Sequence, residues 1–360
     1  MNAHARRIAA LRERMRTEGL AALVVSQGAN VRYLTGYVGS NGTAVVGHEG
    51  AVLLTDSRYA VSAREQVSGA EVVIGSRDLL ADIAAAARTH AGDGPVGVEA
   101  DTVTLGWHER FCARAGGADV RPVRGLVEDL RIVKDAGEVA TMRRAAAVAD
   151  EALGAVLGAG IVGRTERQVA LDLYAAMLDR GAQDISFPTI VAAGPRGARP
   201  HAVPGAEPIP AGTLVVINMG AIVDGYCSDM TRTVATGPLP APMEEIYRVC
   251  LDAQRAALAA ARPGITGGEL DAVARDAITA AGHGEHFGHG LGHGVGLEIH
   301  EAPGVRPGAE RVLEAGMAIT IEPGIYIEGL AGVRIEDLVI LSGDGHDIIS
   351  ATPKELTVVA

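Results

Sequence analysis

Asn218, Asp229, Glu322 and Glu336 each stand in or beside a run of apolar, strand-forming residues. His293 lies between them in a glycine-rich segment. In VVINMGAIVDGYCSDMTRT, residues 215–233, the pattern predicts two strands joined by a turn, with Asn218 and Asp229 eleven residues apart. In GMAITIEPGIYI (316–327) and GVRIEDLVI (332–340), Glu322 and Glu336 interrupt otherwise apolar runs. A carboxylate inside a buried strand is costly unless it is paired or bound to a cation. Asp229, His293, Glu322 and Glu336 together would offer one nitrogen and three carboxylate ligands. That mixture suits Mn, Co, Fe or Zn. Separate salt bridges account for the same residues, with Arg334 at hand for Glu336, and the pattern alone leaves both readings open.

His289 and His293 are four apart in HFGHGLGHGVGLEIHEAP (286–303). Helical HExxH sites share that spacing, but alternating glycines forbid a stable helix here. An extended segment beside close backbone is expected instead, since glycine in strands marks close approach. The run lacks GxGxxG spacing, and neither GxxxxGK[ST] nor GxSxG occurs, so no nucleotide loop or serine nucleophile elbow is predicted.

The positioning elements follow from periodicity. Ile8, Leu11, Met15 and Leu20 recur at helical spacing, so the N-terminus reads as an amphipathic helix and not as a signal peptide. AALVV (21–25) reads as a buried strand and residues 42–56 as a hairpin, with helices around 59–67 and 78–90. Residues 125–157 read as one long helix rich in Ala and charge. A domain boundary is placed there, giving domains 1–128 and 129–360. The remainder carries a faint repeat: Ile161, Gly163, Val169, Ala170 and Asp172 recur as Ile265, Gly267, Val273, Ala274 and Asp276, at an offset of 104. The first copy opens on a Thr165/Gln168 capping box and closes at Gly181. Two lobes with helices outside and strands inside would bring their strands together at the middle.

A chain of 360 residues makes two domains the default. The net charge of −12 argues against a nucleic-acid partner. No apolar stretch is long enough for a membrane span. Three scattered cysteines, Cys112, Cys227 and Cys250, form no CxxC pair, and free thiols in a reducing cytoplasm are expected. Tyr226, Thr231 and Arg232 read as hairpin and core support, and Cys227 as a packed core residue.

SFPTIVAAGPRGARPHAVPG, GYCSDMTRT, HGLGHGVGLEIHE, TIEPGIY and GVRIED resemble, in order, the blocks of the pita-bread metallopeptidases, nearest to aminopeptidase P and prolidase. NVRYLTGYVGSNG and LLTDSRY resemble the N-terminal domain of the same proteins. The resemblance implies an α+β chain: a C-terminal pita-bread fold with pseudo-twofold αβ lobes, preceded by a smaller α/β creatinase-type domain. It implies metal-dependent hydrolysis of the Xaa-Pro bond in dipeptides or at peptide N-termini, in a cytoplasmic homodimer. The family's metal ligands fall on Asn218, Asp229, His293, Glu322 and Glu336. Its catalytic and intermediate-stabilising positions fall on His201, Glu322 and His300, and its substrate-side positions on His289 and Arg334. One or two divalent ions are implied, manganese first and cobalt or zinc as alternatives.

The chain departs from the family pattern at Asn218, where an Asp is usual. An amide brings no charge and usually one ligating oxygen. One tightly held ion on the His293/Glu322 side and a weak second site are therefore expected, with activity lowered. The competing readings are a hydrolase of another small C–N bond on the same fold and a non-catalytic binding protein.

Overall fold

The structure is a computed structural model that describes residues 2–360. It divides into two compact units, with the break between Arg131 and Ile132.

The first unit is built on a mixed six-stranded sheet. The strands run in the order Glu71–Ile74, Ala51–Thr55, Gly42–Gly47, Ala22–Val25, Val96–Glu99, Val120–Val123. The Gly42–Gly47/Ala51–Thr55 hairpin is antiparallel, whereas Ala22–Val25 and Val96–Glu99 run parallel. The N-terminal helix Ala3–Thr17 buries Ile8, Leu11 and Met15, the stripe read from the sequence. Trp107 stacks on Phe111 at 4.9 Å and helps cover one sheet face.

The expected long helix over 125–157 is two helices. Glu128–Arg131 is one short turn, and the long helix runs Ala136–Gly158. Asp135 caps the second helix and Glu138 returns a bond to the cap, a complete capping box. The capped start leaves the preceding residues extended: Val133 bridges Met317, and the Lys134 amide donates to the Gly316 carbonyl at 2.8 Å.

The second unit holds two helix pairs, Ala136–Gly158 with Glu166–Asp179 and Ala241–Ala260 with Gly267–Ala280. Thr165 and Thr266 head the shorter helices, each in a capping box. Each of these threonines also forms an isolated antiparallel bridge, to Pro208 and Val312 respectively. The two helices end before Gly181 and Gly282, both at positive φ. Structural equivalence thus runs at an offset of 101, from Thr165 to Thr266, and not at 104. The offset of 104 read from the sequence is three residues out of register, close to one helical turn, so apolar positions still match. In the true register Val169, Leu173 and Met177 correspond to Leu270, Ala274 and Ile278, and all six are buried.

The strands lie between these helices. Leu214–Met219 pairs antiparallel with Met230–Ala235 on one edge and with Ile190–Ala193 on the other. The expected simple turn between the first two is more elaborate. Ala221–Val223 and Tyr226–Cys227 form their own hairpin about Asp224 and Gly225, both at positive φ. A five-stranded sheet runs Glu301–Val305, Gly292–Gly294, Ala318–Ile321, Asp337–Ser342, Gly345–Ile348. Gly324–Ile327 pairs with Ala331–Arg334. Among the described residues, no helix is long and apolar enough to cross a membrane.

Candidate metal centre

Every charged candidate sits at a strand end or kink. Asp229 directly precedes the strand Met230–Ala235, Glu322 follows Ala318–Ile321, and Glu336 lies between Ala331–Arg334 and Asp337–Ser342. These positions let the side chain turn inward while the backbone stays bonded. The Glu336 amide donates to Thr231 O and the Glu322 amide to Leu291 O. His293 lies in the three-residue strand Gly292–Gly294, so the expected extended segment is confined to the residues about that imidazole. The flanking glycines are required by close approach: a Cβ at Gly292 would lie 2.0 Å from Thr320 O, and one at Gly294 would lie 2.3 Å from Ala302 O.

Donor atoms of Asp229, His293 and Glu336 all lie within 4.8 Å of one another. His293 Nε2 is 3.3 Å from Glu322 Oε1 and 3.6 Å from Asp229 Oδ2. His293 Nδ1 lies 3.1 Å from the Gly294 carbonyl, which leaves Nε2 for the pocket. Glu336 Oε1 is buried and has no hydrogen-bond partner among the described residues. An orphaned buried carboxylate oxygen beside an imidazole and two further carboxylates fits a divalent cation.

The electrostatics agree. Burial pushes the Asp229 carboxyl up to about 7. Burial, with the charges of Asp229 and Glu322, raises Glu336 well above the usual range. Burial opposes a charged His293, but its hydrogen bond to Glu322 and the nearby carboxylates outweigh that and push it up to about 9. Burial likewise opposes a charged Glu322, yet His293 and Arg334 hold its pKa below the ordinary carboxylate value. A cation entering here displaces protons as it binds.

Asn218 reaches this cluster through its nitrogen. Nδ2 donates to Asp229 Oδ1 at 3.1 Å, to Met230 O at 3.2 Å and to Glu336 Oε2 at 3.3 Å. Its oxygen accepts from Arg334 Nη2 at 2.8 Å. Arg334 is buried, and Glu336 is not its partner. Its Nε donates to Thr231 Oγ1 at 3.0 Å and lies 3.8 Å from Glu322 Oε2.

The remaining candidates line the same cavity of about 480 Å³, with His201, His289 and His300 around it and Phe187, Pro188, Pro204 and Ile299 as its apolar wall. The His300 ring packs edge-on to His293 at 4.4 Å. Burial and the adjacent His293 lower the His300 pKa, so it is neutral at pH 7. His289 Nε2 contacts Tyr326 Oη at 2.9 Å, and burial lowers its pKa.

Sequence reasoning missed four residues. Thr231 donates to Glu336 Oε2 at 2.6 Å. Its two-residue spacing from Asp229 placed both on one strand face and could have flagged it. Thr320 donates to Glu322 Oε1, and Tyr326 accepts from Arg334 Nη1 at 3.2 Å. Arg306 lines the cavity and has no ion-pair partner among the described residues. Arg232 supports the core as expected, and Cys227 is packed among apolar residues.

Residues 140–342 match the metallopeptidase family M24, and residues 7–133 match the creatinase/prolidase N-terminal domain. The chain is 40% identical to "Uncharacterized peptidase YqhT" of Bacillus subtilis over 341 residues, covering 95% of this chain and 96% of that one. It superposes on an Xaa-Pro dipeptidase from Bacillus anthracis with a TM-score of 0.96 at 38% identity, covering 99% and 100% of the two chains. An X-Pro aminopeptidase from Thermotoga maritima gives a TM-score of 0.90 at 33% identity, covering 96% and 100%. With its α+β fold, pita-bread unit and creatinase-type N-terminal domain, the chain belongs to metallopeptidase family M24.

Proposed function

We propose that the protein hydrolyses the Xaa-Pro bond of dipeptides with manganese as its divalent ion, working as a cytoplasmic homodimer, with activity lowered by Asn218. The convergence of Asp229, His293, Glu322 and Glu336 on the floor of a cavity walled by apolar residues and histidines carries this reading. The names of its relatives support the Xaa-Pro bond, and three free cysteines suit a reducing compartment.

Asp229, His293, Glu322 and Glu336 would hold the ion, which when bound supplies hydroxide at neutral pH by lowering the pKa of a water from 15.7 towards ~7. Glu322, the least buried of the three carboxylates and ionised at pH 7, accepts the proton released on attack and passes it to the leaving nitrogen. A proline nitrogen is tertiary in the substrate and needs that proton to leave. His201 and the neutral His300 donate to the oxyanion from the cavity wall. The expected result is manganese-dependent cleavage of Xaa-Pro over Xaa-Ala dipeptides by protein that elutes at twice its 37.0 kDa chain mass. Metal binding without Xaa-Pro cleavage would turn the reading towards another C–N bond.

Arg306 favours dipeptides over longer chains. It is a cation at the cavity wall with no hydrogen-bond or ion-pair partner among the described residues, whereas Arg334 is committed to Asn218, Thr231 and Tyr326. A dipeptide presents a carboxylate one residue beyond the scissile bond, and Arg306 is placed to bind it. Arg306→Gln is expected to raise KM for an Xaa-Pro dipeptide about tenfold, the loss of one charge-assisted bond. The matching Xaa-Pro amide should change little. Equal effects on acid and amide would remove this role.

A further inference from the structure

We infer that Asn218 is not a metal ligand but a hydrogen-bond donor that fills the place of a second ion, so that the centre holds a single divalent cation. This rests on the proposed metal-dependent reading and goes beyond the loss of one charge.

The two oxygens of each neighbouring carboxylate divide between two tasks. Asp229 Oδ1 and Glu336 Oε2 accept from Asn218 Nδ2, and Glu336 Oε2 accepts also from Thr231. Asp229 Oδ2 faces His293 Nε2 at 3.6 Å, and Glu336 Oε1 has no partner among the described residues. Glu322 Oε1 also faces His293, while accepting from Thr320, so the atoms gathered here are one nitrogen and three oxygens. They form one set, sufficient for one ion.

Arg334 fixes which way the amide points. Its Nη2 donates to Asn218 Oδ1, an atom that must therefore be oxygen, since an amide nitrogen there would set donor against donor. The same rotation would turn the amide oxygen onto two carboxylates. For the Asn218 oxygen to ligate a cation, the bond to Arg334 would have to break and the amide reverse within a buried network. Arg334 is itself buried and anchored by Thr231, Tyr326 and the Pro200 carbonyl, so it cannot move aside freely.

The test is metal stoichiometry and spin coupling, independent of turnover, on the full chain and on Asn218→Asp and Asn218→Ala. Calorimetric titration with Mn²⁺ should saturate at one ion in the native chain. Its electron paramagnetic resonance spectrum should be the isolated-ion sextet. Asn218→Asp should take up a second ion at least about tenfold more tightly, as restoring a ligand sphere does, and show exchange-coupled Mn²⁺. Asn218→Ala should keep the single ion with little loss of affinity, because no ligand is removed. Two coupled ions in the native chain, or an Asn218→Ala chain whose ion binds tenfold more weakly, would overturn the inference. Because the native chain alone decides the stoichiometry, a poorly folded variant does not protect the idea. The two readings fail separately. One bound ion without Xaa-Pro cleavage leaves this inference standing and removes the proposed substrate. Cleavage with two tight ions does the reverse.

Discussion

Glu322→Gln is expected to lower kcat for Xaa-Pro cleavage by about 10²–10⁴-fold, the usual weight of a positioned proton acceptor. The change keeps the shape of the side chain and its place against Thr320, but removes the basic oxygen and the charge. The role is favoured by geometry. Glu322 is the most open of the three carboxylates on the cavity floor, its side chain 15% exposed, and its oxygen faces His293 at 3.3 Å. Asp229 and Glu336 line the same floor but are more deeply buried, with side-chain oxygens held by Asn218 and Thr231. His293 and Arg334 together keep Glu322 ionised, the state a proton acceptor must start from. Manganese affinity should also fall, so the assay is run at saturating metal, with circular dichroism to show the fold intact. A kcat within tenfold of the native value under those conditions would take Glu322 out of the proton path.

Asp337→Ala is expected to cost about 3–5 kcal/mol of stability, the price of leaving a buried cation without its partner. Asp337 is fully buried and accepts from Arg232 Nη2 at 2.7 Å, from Gln254 Nε2 at 2.7 Å and from Lys354 Nζ. Arg232 also donates to the carbonyls of Thr231 and Thr352, tying the strand that carries Thr231 to the C-terminal segment. Losing the carboxylate leaves the buried Arg232 guanidinium without its counter-charge, while Lys354 is partly exposed and can turn to solvent. In a unit of this size the melting temperature should fall by roughly 6–20 °C. Replacing Arg232 by Met and Asp337 by Leu together should recover part of that loss, because an apolar pair carries no desolvation penalty. A melting point for Asp337→Ala within about 2 °C of the native chain would show that the pair contributes little.

The candidate cluster is legible in the sequence because each carboxylate breaks an apolar run, a pattern that needs a reason whatever the fold. Convergence itself followed from strand ends meeting, which spacing does not encode, and so salt bridges remained an open alternative. Arg334 illustrates the gap. Adjacency in sequence suggests Glu336 as its partner, but Arg334 bonds instead to Asn218 and Thr231, two residues of another sheet that also bond to Glu336. The direction of the Asn218 amide was beyond reach for the same reason, since its neighbours decide it. The long helix misread over 125–157 had a visible stop signal, Asp135 followed three residues later by Glu138, that helical propensity across the run concealed. The three-residue slip in the repeat arose because apolar matching in Ala-rich helices tolerates a shift of nearly one turn. Weighting the two capping threonines above the apolar positions would have corrected it.

The matched helices headed by Thr165 and Thr266 frame two similar halves of the second unit, yet the halves contribute different groups. Asn218 and Asp229 lie in the first half, while His293, Glu322 and Glu336 lie in the second. Because the cluster is shared in this unequal way, neither half holds it alone. Cutting the chain at the midpoint is expected to give two pieces, neither of which carries the whole set.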